Sequence, residues 1–157
     1  MESAESNASS TPYKLAILRR IVSWDRLVIL YARIALGAAF LSAVAARFGI
    51  WGEDAGPESF KNFLEYVAKV NSFMPAFTIP FLAWAATVAE TSLGIALILG
   101  IWPRFVALGA ALLLALFGTA MAISFGIKSP LDYSVFSASA GALLLAQYQT
   151  RNSKGSA

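Results

Sequence analysis

Two residue types are missing altogether: the 157-residue chain contains neither cysteine nor histidine. That removes disulfide exchange, thiol nucleophiles and iron–sulfur ligation, together with the imidazole ligands on which most haem, zinc and copper sites depend. The chain is therefore expected to hold no metal and no covalently attached cofactor. Charge is scarce too, at 13% of residues, against roughly 25% in an average soluble domain. The basic residues are spread along the chain, so a net charge of +3 marks no nucleic-acid partner.

What fills the space is apolar: 58% of residues are hydrophobic, too many for an ordinary soluble domain. Four runs, about 27–48, 77–99, 105–125 and 131–148, approach the roughly 20 residues that cross a hydrocarbon layer as a helix. The last is the shortest and starts beside Asp132. A β-barrel would need segments alternating in polarity, and runs such as 110–117 do not alternate. Backbone groups facing lipid must pair within their own segment, which leaves helices. The expected fold is all-α: an integral membrane four-helix transmembrane bundle.

Lys14, Arg19, Arg20, Arg26, Arg104, Arg151 and Lys154 fall on one side of these runs, Lys61, Lys69 and Lys128 on the other. By the positive-inside rule the seven-to-three bias places both termini in the cytoplasm. The expected location is the bacterial inner membrane.

Residues 1–12, rich in Ser and Ala, read as a disordered tail, residues 13–149 as the membrane domain and residues 150–157 as a polar tail. Between Tyr13 and Trp24, apolar residues recur near helical spacing among basic ones, which fits either a short helix lying on the bilayer surface or a basic flank of the first span. Gly56-Pro57 signals a helix start, after which Phe60, Phe63, Leu64, Val67 and Val70 share one face. This predicts an external amphipathic helix between spans one and two, ending near Asn71 and acting as a seal or a lid. Small residues at four-residue intervals, Ala35, Ala39 and Ala43, then Ala107, Ala111 and Ala115, then Ser134, Ala138, Ala142 and Ala146, predict close helix contacts.

Two charges interrupt the apolar runs, Arg33 in the first and Glu90 in the second. A charge at such depth is expensive and usually faces a partner inside the bundle. Counted from the span ends, the two lie about 9 Å and about 14 Å deep at 1.5 Å per residue, so an Arg33–Glu90 ion pair is expected. Arg33, Gly37, Phe40, Val44 and Arg47 lie on one stripe, and Ala83, Ala86, Thr87 and Gly94 form a small-residue face around Glu90. Arg47 with Asp132 makes a second candidate pair. Such a pair can simply pin two helices in register, or it can bind a polar headgroup with Glu90 as proton exchanger. The candidate ligand-binding set is Arg33, Glu90, Arg47, Thr87, Trp84 and Asp132.

At these residues the chain resembles the DoxX family of small four-helix bacterial membrane proteins. The resemblance runs through Tyr31-Ala-Arg33-Ile-Ala-Leu-Gly37-Ala-Ala-Phe40, then Ala89-Glu90-Thr-Ser-Leu-Gly94 to Gly100-Ile-Trp-Pro-Arg104, with Arg47-Phe-Gly-Ile-Trp51-Gly52 and Gly126-Ile-Lys-Ser-Pro130-Leu-Asp132 in addition. It implies a non-catalytic or quinone-associated subunit of a membrane oxidoreductase complex, with quinone as the candidate cofactor and the bilayer, redox-complex subunits or further copies of the chain as partners. The residues equally admit a carrier or binding protein for a small lipophilic or anionic molecule, and a purely structural membrane partner.

Overall fold

A computed structural model describes the backbone of residues 11–52 and 56–154 and, within these, the side chains of residues 24–149. Among the described residues six α-helices follow one another: α1 (Thr11–Arg47), α2 (Ser59–Val70), α3 (Ile79–Leu99, preceded by a 3-10 turn at Ala76–Thr78), α4 (Pro103–Phe125), α5 (Lys128–Asp132) and α6 (Val135–Lys154). No strand occurs among the described residues. The chain divides into two units, residues 1–31 and 32–157. The first is, from Thr11 on, the N-terminal part of α1, and all the contacts that build the site lie in the second.

Among the described residues three helical stretches are long and apolar enough to cross a membrane: Trp24–Arg47, Ala76–Leu99 and Pro103–Phe125. The fourth expected run does not stay whole. Tyr133 and Ser134 separate α5 from α6, with Ser134 in the left-handed region at φ 54°, and α6 is not among the candidate spans. The segment from Tyr13 to Trp24 is no separate helix, because α1 runs through it without a break. The expected N-terminal tail falls mostly on residues 1–10, outside the described residues. At the other end the helix continues to Lys154, into the expected polar tail.

α1 and α3 cross where both carry glycine. A β-carbon at Gly37 would lie 2.8 Å from the Gly94 carbonyl oxygen, and one at Gly94 would lie 3.1 Å from that of Gly37. Only two bare backbones approach so closely. The buried stripe of α1 is thus Gly37 and Phe40, whereas Ala35, Ala39 and Ala43, expected as a packing face, are exposed. α4 and α6 fit the alanine pattern better, with Ala107, Ala111, Ala142 and Ala146 buried. These two helices are antiparallel, since Phe136 packs on Gly118 while the Ser139 hydroxyl donates to the Ala111 carbonyl at 2.8 Å.

The expected amphipathic helix forms as α2. It turns Val67 and the flanking Phe63 and Leu64 onto Ile79, Leu82 and Ala83 of α3, leaving Lys61, Glu65 and Lys69 exposed. Its far end is tied to α4, where the Ser124 hydroxyl donates to the Val70 carbonyl at 2.6 Å. A helix this short is marginal by itself. Burial of its apolar face holds it over the ends of α1 and α3.

Candidate functional site

The two intramembrane charges do not meet. Arg33 Nε donates to the Leu97 carbonyl at 2.8 Å and Nη2 to that of Ile98 at 3.1 Å. Glu90 belongs to Arg47, whose Nη2 stands 2.6 Å from Glu90 Oε2. Helix register explains the exchange. With Gly37 opposite Gly94 on antiparallel helices, Arg33 lies four residues to one side of the crossing and Glu90 four to the other, about 12 Å apart along the axis. Side chains lean toward the N-terminus of their own helix, so Arg33 and Glu90 lean away from each other. Arg47 and Glu90 lean together.

Each end of this arrangement has a local cause. α1 stops in a Schellman turn: Gly49, at φ 70°, donates to Ala46 and Ile50 donates to Ala45, both at 3.0 Å. This leaves Arg47 on the last helical turn, free to fold back into the bundle. α3 stops at Gly100, φ 76°, where the amides of Gly100 and Ile101 both bond Ala96. The carbonyls of Leu97 and Ile98 are then without intrahelical donors, and Arg33 supplies them. Its guanidinium fits so closely that a β-carbon at Gly100 would overlap it.

Around Glu90 three members of the expected small face, Ala83, Thr87 and Gly94, are buried, while Ala86 is half-buried. Thr87 does two jobs: its hydroxyl accepts from Arg47 Nη1 at 3.2 Å and donates to the Ala83 carbonyl at 2.8 Å. The side chains of Arg47 and Glu90 are only 10% and 3% exposed, a degree of burial at which an ion pair is poorly screened. Phe63 of α2 lies over the guanidinium, its ring centroid 4.0 Å from Arg47 Cζ, a cation–π contact. Trp84 packs against aromatic rings, at 4.9 Å from Phe60 and 6.4 Å from Phe48, centroid to centroid. Asp132 does not reach Arg47 and pairs with Lys128 at 2.5 Å. Both belong to the short α5, whose one-turn spacing brings the two charges together.

Above Arg47 a cavity of about 500 Å³ opens, lined by Ala46, Trp51, Gly52, Ser59, Asn62, Phe63 and Tyr66 as well as Arg47 itself. None of the α2 residues facing it was in the sequence-derived set. Phe63 alone carried a signal, its place on the apolar stripe, but that stripe does not say which residue overhangs a charge. Among the described residues no cluster of metal-ligating side chains occurs.

The matched segment spans every element that builds the site: the family model described as DoxX covers residues 28–126. The chain belongs to the DoxX family. Its membrane character rests on that match and on the apolar helices together. The DoxX match ends at the close of α4, so α5 and α6 lie beyond it. No curated protein and no solved structure matches the chain.

Proposed function

We propose that this DoxX protein is a non-catalytic, quinone-associated subunit of a membrane oxidoreductase complex, binding the quinone ring in the cavity between α2 and the end of α1. The observation that carries this reading is the composition of the cavity. Phe63, Tyr66 and Trp51 offer ring faces, Arg47 offers donors, and the volume of about 500 Å³ suits a small ring system. Arg47 uses one N–H on Glu90 and one on Thr87, so three of its five donors are unassigned. Glu90 cancels its charge locally, which favours a neutral ligand carrying carbonyl oxygens over an anion. An anion carrier would need that charge uncompensated. The complex partners would supply the redox centres, since the chain itself contains no cysteine or histidine. Within this reading the protein sits in the inner membrane with α6 as a fourth span and both termini in the cytoplasm.

The test is binding of a short-chain quinone to the purified protein in mild detergent. The wild type should take up one equivalent, and the double variant Arg47→Leu with Glu90→Leu, which keeps the core apolar and filled, should take up none. If the double variant binds as well as the wild type, or the wild type binds nothing, the cavity is no quinone site and the ion pair serves only to set helix register.

A further inference from the structure

The turn joining α3 to α4 gathers positive charge, and among the described residues of its own unit, 32–157, no acid lies beside it. Arg33 gives two of its five N–H donors to carbonyls of α3, and the end of a helix offers only about half an elementary negative charge. It therefore keeps a positive surplus and three donors. Arg104, four residues beyond Gly100, contacts the Phe105 ring at 5.8 Å and belongs to none of the ion pairs among the described residues. Because α6 runs antiparallel to α4, its backbone brings Arg151 and Lys154 to the same end. The described acids of this unit are elsewhere: Glu90 is held by Arg47, and Glu58, Glu65 and Asp132 belong to α2, its N-cap and α5 at the opposite end. Trp102 and Phe105 stand exposed on either side of Arg104, the amphipathic Trp ring being suited to the depth of lipid headgroups.

We propose that this turn is a headgroup site for an anionic phospholipid, whose phosphate pairs with Arg33 and Arg104 while Trp102 lies at the membrane interface. Juxtamembrane arginines attract anionic headgroups by their charge, and guanidinium groups match phosphate oxygens in geometry. A free phosphate would satisfy the same donors but would bring no acyl chains to cover the exposed rings of Trp102 and Phe105. The proposal is independent of the quinone reading, which concerns the other end of the helices.

Native mass spectrometry of the full chain tests it, after equilibration in mixed micelles containing phosphatidylglycerol or phosphatidylcholine. Phosphatidylglycerol should be retained in clear preference. Arg104→Gln should lower its retention about fivefold, Arg104→Lys should restore most of it, and Lys69→Gln, which removes the same charge from α2, should leave it unchanged. Arg104 is the site of choice because Arg33 also caps α3, and its removal alters the fold. Equal retention of the two lipids, an equal loss with Lys69→Gln, or displacement of the lipid by inorganic phosphate at equal concentration would each overturn the assignment.

Discussion

Arg47 and Glu90 meet at 2.6 Å because their helices are antiparallel and each side chain slants toward its own N-terminus. The arginine comes from the last turn of α1 and the carboxylate from the middle of α3, so their Cα atoms lie at different depths. The reach of two long side chains closes the gap. Phe63 and Thr87 flank the guanidinium on two sides, and Glu90 is the one buried charged residue among those described.

Removing either partner strands the other in an apolar surrounding, at a cost of about 3–5 kcal/mol. Arg47→Leu and Glu90→Leu should each lower the melting temperature in detergent strongly, and the double variant should lose much less than the sum of the two. Losses that simply add would show that the pair carries no coupling.

Arg33 should couple to Gly100 and not to Glu90. Gly100→Ala forces a left-handed backbone on a residue with a β-carbon, costing about 1–2 kcal/mol, and also displaces the guanidinium. Once Arg33→Gln is present, the second part of that loss should vanish. The effects of Arg33→Gln and Glu90→Gln, by contrast, should be additive in thermal melts.

Tyr66 should ionise late. Burial raises its phenol above the ordinary value, and the neighbouring Tyr133 adds to the effect once charged. A folded-state pKa above the unfolded one means that the neutral phenol is the form the fold favours. Its contribution is complete below the unfolded value of about 10 and disappears as pH rises through the folded one. The difference between alkaline ultraviolet titrations of the wild type and Tyr66→Phe should place the ionisation of this group above the ordinary phenol value of about 10, and a difference centred at or below that value would contradict it.

Topology can be read with single cysteines, since the chain has none of its own. Ser59 is buried and a poor probe, whereas Glu65, Tyr133 and the C-terminal Ser156 offer better positions. Glu65→Cys and Tyr133→Cys should react with an impermeant thiol reagent from outside, and Ser156→Cys only after the membrane is opened. Labelling of Tyr133→Cys and Ser156→Cys from the same side would remove α6 from the spanning helices.

Much of this protein can be read from one dimension. Apolar length announces the four runs, three of which are helices long enough to span, and the Phe60–Val70 spacing announces α2, because each depends only on neighbours along the chain. The weak fourth run reflects Ser134, whose left-handed conformation carries no strong local signal. Arg33 and Glu90 stood out as costly charges, yet their partners did not follow from depth counted along each span. That pairing depends on the Gly37–Gly94 crossing, which sets the register between two helices, and on the inclination of side chains along opposite helix directions. Register is a property of contact between distant segments, so only the tertiary structure could give Glu90 to Arg47 and send Arg33 to the end of α3.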